Sequence, residues 1–265
     1  MLRPTTTAWA LALVGLGLAA ALSAWWWTRP VPAPPPEAAD GLPEPCRDVN
    51  FEAVPYIVCD LDLDAYDLVV RRTDAAGKAY GDPAALARAE PFVLATNAGM
   101  YHQDLTPVGL YVEDGLERFP LNLGDAPGNF FMKPNGVFYV DDAGKAGVME
   151  ASRFARSGIR PRLATQSGPM LVIDGDLHPR FEENGASRYV RNGIGADGER
   201  RAVLAVSRQP VSLGSFARLF RDALGVKNAL FFDGAISALH DGRKYLVGGG
   251  FPAGPMLAVR KKAGG

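Results

Sequence analysis

Short apolar runs, broken by turn-forming Gly, Asp, Asn and Pro, govern what this chain can fold into. Val54–Leu61, Asp67–Arg72, Phe92–Thr96, Val108–Glu113, Gly136–Val140, Met170–Ile173, Ala202–Ser207, Ala229–Phe232 and Met256–Val259 are short and rich in Val, Leu, Phe and Tyr, the composition of strands. Asp114-Gly115, Asp141–Gly144 and Asp174-Gly175 read as hairpin turns. Two stretches read as helix. Asp82 is a cap with Pro83 at the first helical position, leading into Ala84–Ala89. Ser212 precedes Phe216, Leu219, Phe220, Ala223 and Leu224 at three- and four-residue spacing, and Gly225 ends the run. Many strands and few helices, without strand–helix alternation, predict an α+β domain with a mixed, mostly antiparallel β-sheet core.

The first 45 of the 265 residues lie outside this pattern. Residues Ala8 to Trp27 are almost wholly apolar, long enough at about 1.5 Å per residue to cross a hydrocarbon core of about 30 Å. Residues 1–29 therefore read as a membrane anchor, with Trp25-Trp26-Trp27 at the interface, or as a signal peptide cleaved near Ala19, Ala21, Ser23 and Ala24. Apolar length and the three Trp favour the anchor. Either reading exports the rest of the chain. Residues 30–45 form a Pro-rich linker, and the folded domain is expected over 46–265, enough for one sizeable core. An exported domain meets an oxidising compartment. Cys46 and Cys59, the only cysteines, are expected to form a disulfide there, two buried thiols being the alternative. Lys+Arg number 28 against 29 Asp+Glu, with no basic run interleaved with aromatics, so nucleic acid is excluded as a partner.

Polar chemistry concentrates in four short motifs at or near strand ends: Asn97-Ala98-Gly99-Met100-Tyr101, Gln166-Ser167-Gly168-Pro169, Arg191-Asn192-Gly193-Ile194-Gly195 and Phe232-Asp233-Gly234-Ala235-Ile236-Ser237. Glycine lets backbone turn tightly or approach a ligand closely, and four such places in one domain point to one composite pocket. Asp233 follows the apolar Ala229–Phe232, where partial desolvation tunes a carboxylate for acid–base work; the plain alternative is an Asp-Gly turn. Arg191, opening a Gly-punctuated segment, suits a bidentate grip on phosphate or carboxylate, or else a structural ion pair. Asn97 and Gln166 suit sugar hydroxyls or backbone groups. Ser167 lacks a nucleophile elbow and reads as a binding group, and Ser237 as a ligand contact or a turn cap. His102 continues the first motif; His178 and His240 lie near others without metal-ligand spacing, so neither metal nor cofactor is expected. Lys133 and Asn135 are secondary candidates, Phe130-Phe131 reads as core, and Gly248-Gly249-Gly250 as a turn before the last strand.

In order and spacing the four motifs resemble the phosphodiester glycosidase domain of the N-acetylglucosamine-1-phosphodiester alpha-N-acetylglucosaminidase family, including its exported bacterial members. That family shows Asn-Gly-Gly-Phe-Phe, Gln-Ser-Gly-Pro, Arg-Thr-Ala-Ile-Gly and Leu-Asp-Gly-Gly-Gly-Ser-Ser. The resemblance runs from Asn97 to Ser237 and departs at Ala235-Ile236, which replace two glycines. It implies a hydrolase of the cell envelope that cleaves the glycosidic bond of a sugar-1-phosphodiester. Arg191 would hold the phosphate and Asp233 would serve as base or nucleophile. Asn97, Gly99, Tyr101, His102, Gln166, Ser167, Asn192, Gly234 and Ser237 would line the substrate. The alternative is a non-catalytic glycan-binding module on the same loops.

Overall fold

The computed structural model describes residues 41–234 and 236–262, of which those from Leu42 onward belong to one compact unit. The expected anchor or signal segment and all of the linker before Gly41 lie outside the described residues. No helix among the described residues is long and apolar enough to cross a membrane. The elements in chain order are β1 (Cys46–Phe51), β2 (Val54–Asp62), β3 (Tyr66–Arg71), α1 (Pro83–Ala89), β4 (Leu94–Asn97), β5 (Tyr111–Glu113), β6 (Leu116–Phe119), β7 (Gly136–Asp141), β8 (Ala146–Glu150) and α2 (Ala151–Ser157). There follow β9 (Pro161–Ser167), β10 (Met170–Ile173), β11 (Asp176–Leu177), β12 (Asn192–Gly195), β13 (Asp197–Glu199), β14 (Arg201–Ser207), α3 (Leu213–Arg218), β15 (Ala229–Phe231), β16 (Leu239–His240), β17 (Tyr245–Val247) and β18 (Met256–Lys261).

The strands form three sheets, ordered β1-β2-β14-β12-β15-β10-β11, β13-β8-β7-β9-β5-β6 and β17-β16-β4-β18-β3. Every strand pair described is antiparallel, so the mixed sheet expected from sequence is an antiparallel one. The alternation of side chains along a strand explains the layering. On β2, Ile57, Cys59 and Leu61 enter a core shared by all three sheets, while Tyr56 and Val58 face α3. On β14, Leu204 and Val206 point to the shared core and Val203 and Ala205 to α3. The shared core takes Leu257 and Val259 of β18, and Met256 and Ala258 pack with Leu86 of α1. Phe154 of α2 packs on Val137, Tyr139 and Ala164. These strands read as continuous apolar runs because both faces are covered.

Local chemistry sets the ends of the elements. Asp82 accepts the Ala85 N–H and caps α1 ahead of Pro83, and Ser212 caps α3 through the Ser215 N–H. A π-helical turn, Leu219–Ala223, continues α3 until Gly225 at φ +65°. Asp114-Gly115 and Asp174-Gly175 have both residues at positive φ, the type I′ geometry of tight hairpins. Glu150 caps α2 with both carboxylate oxygens, a helix the apolar spacing does not announce. Cys46 and Cys59 are directly opposed on β1 and β2 and form a disulfide. At a sequence separation of 13, the bridge contributes about 3 kcal/mol by restricting the unfolded chain.

The largest departure from the sequence reading concerns Asn192–Gly195. Its glycines read as a flexible segment after a strand, yet it is β12, fully buried between β14 and β15. A Cβ on Gly193 would lie 2.7 Å from the Leu230 carbonyl oxygen, and one on Gly195 2.7 Å from Val226. These glycines make room for neighbours. Gly193→Ala is expected to cost about 1–3 kcal/mol by overpacking, lowering the thermal midpoint by several degrees. A midpoint equal to wild type, measured by circular dichroism, contradicts this reading of β12.

Candidate functional site

Three sheets deliver the four motifs to one place. Asn97 ends β4 of the five-stranded sheet, Gln166 and Ser167 end β9 of the six-stranded sheet, and Asn192 and Asp233 belong to β12 and the segment leaving β15. The centre is Asn192, wholly buried. Its amide nitrogen donates to Thr96 Oγ1 at 2.8 Å and to Asn97 O and Oδ1 at 2.8 and 3.0 Å. Its Oδ1 accepts the Asp233 N–H at 3.3 Å and the Ser237 hydroxyl at 3.2 Å. Asn97 donates to the Asp233 carbonyl at 3.3 Å, which also accepts Ser237 Oγ at 2.9 Å. Ser167 Oγ donates to the Phe232 carbonyl at 2.7 Å. The residue carrying the half-buried carboxylate thus has its own backbone and that of its predecessor fixed by side chains from all three sheets.

Of the two roles expected for the amides of Asn97 and Gln166, sugar hydroxyls or backbone groups, the structure shows the second. Gln166 Oε1 accepts from the N–H groups of Leu110 and Asn122, and its Nε2 donates to Asn122 O. It clamps the 108–122 segment onto β9. Gly99 is required by a close approach, since a Cβ there would lie 2.2 Å from Gln166 O, and its N–H donates to Thr165 Oγ1. Thr96 and Thr165 belong to this framework although they lie outside the four motifs; the signal is their position beside Asn97 and Gln166.

Arg191 is 1% exposed and its charge is answered by dipoles. Nε donates to Val211 O at 2.8 Å and Nη2 to Ser187 O at 2.9 Å, while the rings of Phe231 and Tyr189 lie 5.1 and 5.5 Å from Cζ. No ion pair among the described residues includes Arg191. Burial draws its pKa down to about 10, which leaves it a cation at neutral pH. Nη1 faces Gly234, where a Cβ would stand 3.1 Å from it and 2.9 Å from the Phe231 ring. Arg191 and Asp233 each follow or precede by one residue the pair joined by the Phe232 N–H to Asn192 O bond, so they sit side by side across two strands.

Tyr101 borders the carboxylate: burial and then the charge of Asp233 push its hydroxyl well above the usual phenol range. That hydroxyl donates to Pro252 O, and Gly254 lies under the ring. His102 is exposed on the turn to Thr106, and no hydrogen bond among the described residues joins its ring to the network. His178 stacks on Phe181, His240 packs between Phe92 and Tyr245, and burial lowers both imidazole pKa values. Lys133 pairs with Asp125, Asn135 donates to Phe130 O, and Phe130 is core. Among the described residues no group of His, Cys, Asp and Glu is placed to hold a metal ion.

The sequence profile of a family described as phosphodiester glycosidase matches residues 91–242, more than half of the 265 residues and all four motifs. The chain belongs to the phosphodiester glycosidase family. An uncharacterized Escherichia coli (strain K12) protein, YigE, is 39% identical over 175 residues, 64% of this chain and 66% of that relative. The fold is similar to the catalytic domain of zebrafish N-acetylglucosamine-1-phosphodiester alpha-N-acetylglucosaminidase, auto-inhibited by its pro-peptide, at a TM-score of 0.59 and 12% identity over 85% of this chain and 86% of that one. A hypothetical protein from Synechocystis gives 0.55 and 15% over 82% and 61%. In this domain, the motifs build a frame of hydrogen bonds around the backbone of Asp233, with Tyr101 beside its carboxylate and Nη1 of Arg191 beside Gly234.

Proposed function

We propose that the protein is an exported hydrolase that cleaves the glycosidic bond of a sugar-1-phosphodiester in an envelope glycan or glycoconjugate. The observation that carries this reading is Arg191: a buried cation held by carbonyls and aromatic rings, with one nitrogen turned to Gly234 beside Asp233. A buried cation with no carboxylate paired to it among the described residues is suited to an anion brought by the substrate. In the reaction the C1–O bond breaks with its electron pair going to the phosphate oxygen, and a water oxygen joins C1, keeping one proton as the sugar hydroxyl; the other passes to Asp233 and then to solvent in direct attack, or to solvent when water displaces Asp233 from a covalent intermediate. The products are the free sugar and a phosphomonoester, whose second charge Arg191 stabilises. Phosphate leaves with little acid assistance, so one prominent carboxylate suffices where glycosides of alcohols use two. Asn97, Asn192, Ser167 and Ser237 position Asp233, and Tyr101 bounds the sugar's side.

The apolar N-terminal segment and the Cys46–Cys59 disulfide support export to an oxidising compartment, with the N-terminal segment as the contact with the membrane. Purified protein is expected to release reducing sugar from an alpha-linked sugar-1-phosphodiester. Arg191→Lys keeps the charge but loses the fork, and should lower kcat/KM roughly tenfold or more. Saturable binding of the phosphodiester without any product would instead make the domain a glycan-binding module, a reading that Ala235-Ile236 in place of the family's glycines favours.

A further inference from the structure

A groove of about 540 Å³ lies between α1 and the loop that precedes β18, lined by Asp82, Arg88, Tyr245, Phe251 and Pro252. Phe251 stands at its rim, 64% exposed. The loop holding it is built to do so. Gly248, Gly249 and Gly250 have φ of +65°, +100° and +88°, a succession only glycine adopts without strain. A Cβ on Gly248 would lie 2.0 Å from the Ser237 carbonyl, and one on Gly249 2.9 Å from the Tyr245 ring. Beyond Phe251, the Pro252 carbonyl accepts the Tyr101 hydroxyl and Gly254 supports the Tyr101 ring. The exposed ring is therefore anchored on one side to the Asp233 motif and on the other to the tyrosine that borders Asp233.

We propose that this groove is a second carbohydrate subsite, which takes a neutral sugar residue of a glycan chain continuing away from the bond cut at Asp233. The cleavage half of this statement rests on the glycosidase reading; binding in the groove does not. Exposed aromatic rings offer an apolar face to the C–H side of a pyranose, and the nearby polar groups supply hydrogen bonds to its hydroxyls. Asp82 accepts from the Tyr245 hydroxyl at 3.4 Å and caps α1, which fixes its orientation. Arg88 is exposed on the last turn of α1 and takes part in no ion pair among the described residues. One carboxylate and one guanidinium leave the groove without net charge, which selects neutral sugars over uronic acids or free phosphate. The substrate is then a chain and not a lone glycosyl phosphate.

The test uses the full chain, with Asp233→Asn as the non-hydrolysing background, and titrates neutral oligosaccharides of three to six units derived from glucan, chitin and mannan, together with their phosphorylated and uronic counterparts. At least one neutral oligosaccharide is expected to bind, with Phe251→Ala raising its Kd about tenfold at unchanged melting temperature, and Arg88→Ala also weakening it. The proposal is overturned by binding of charged sugars alone, by binding of none, or by a Kd in Phe251→Ala within twofold of the parent. Turnover of a methyl-aglycone sugar-1-phosphodiester is measured separately with wild type and Phe251→Ala. Oligosaccharide binding without such turnover removes the glycosidase reading and keeps the subsite, whereas turnover with no oligosaccharide binding, or with binding that Phe251→Ala leaves unchanged, removes the subsite and keeps the glycosidase.

Discussion

Asp233→Asn should lower kcat on a sugar-1-phosphodiester by about two to four orders of magnitude while leaving KM and the melting temperature close to wild type. The amide is nearly isosteric with the carboxylate. The backbone N–H and C=O of residue 233, which bond to Asn192, Asn97 and Ser237, are unchanged by the substitution. Binding of the phosphate is assigned to Arg191, so affinity should survive. A mutant retaining more than a tenth of wild-type kcat places the chemistry on another group and leaves Asp233 a turn residue.

The second large effect is on stability. Asn192→Leu keeps the volume and removes every hydrogen bond of the central amide, stranding the Asp233 N–H and depriving Asn97, Thr96 and Ser237 of a partner. Buried groups left unsatisfied cost about 1–3 kcal/mol each, so a loss on the order of 4 kcal/mol and a fall of roughly 10 °C in midpoint are expected. Activity should fall too at temperatures where the mutant is still folded, because the backbone beneath Asp233 loses its tether. A midpoint within about 2 °C of wild type contradicts the account of Asn192 as the keystone of the site.

Much of this was legible in the sequence. Nine apolar runs became strands because alternating faces meet two apolar layers, and Asp82-Pro83 and Ser212 marked helix starts through chemistry that is local to the chain. What escaped was non-local. β9 reads Pro-Arg-Leu-Ala-Thr-Gln-Ser, and its polar half is buried only because Thr165, Gln166 and Ser167 find partners 44 to 66 residues away. β12 escaped because its glycines answer to Leu230 and Val226 and to nothing adjacent in sequence. The motifs converge, and Gln166 and Ser167 serve the frame: a sequence records which polar groups are present and not which are already spent on the backbone.

The junction of three sheets at Asn192 also bears on how the molecule reaches its native state. The bonds that define the site close loops of 95 residues between Asn97 and Asn192 and 136 between Asn97 and Asp233. Contacts so distant along the chain are entropically late, and domains dominated by them fold in milliseconds to seconds. No fragment with one or two of the sheets holds the full set of partners, so the site exists only when the whole domain does. Such a site forms all at once, and during synthesis it is absent until the strand after Asp233 has emerged and docked.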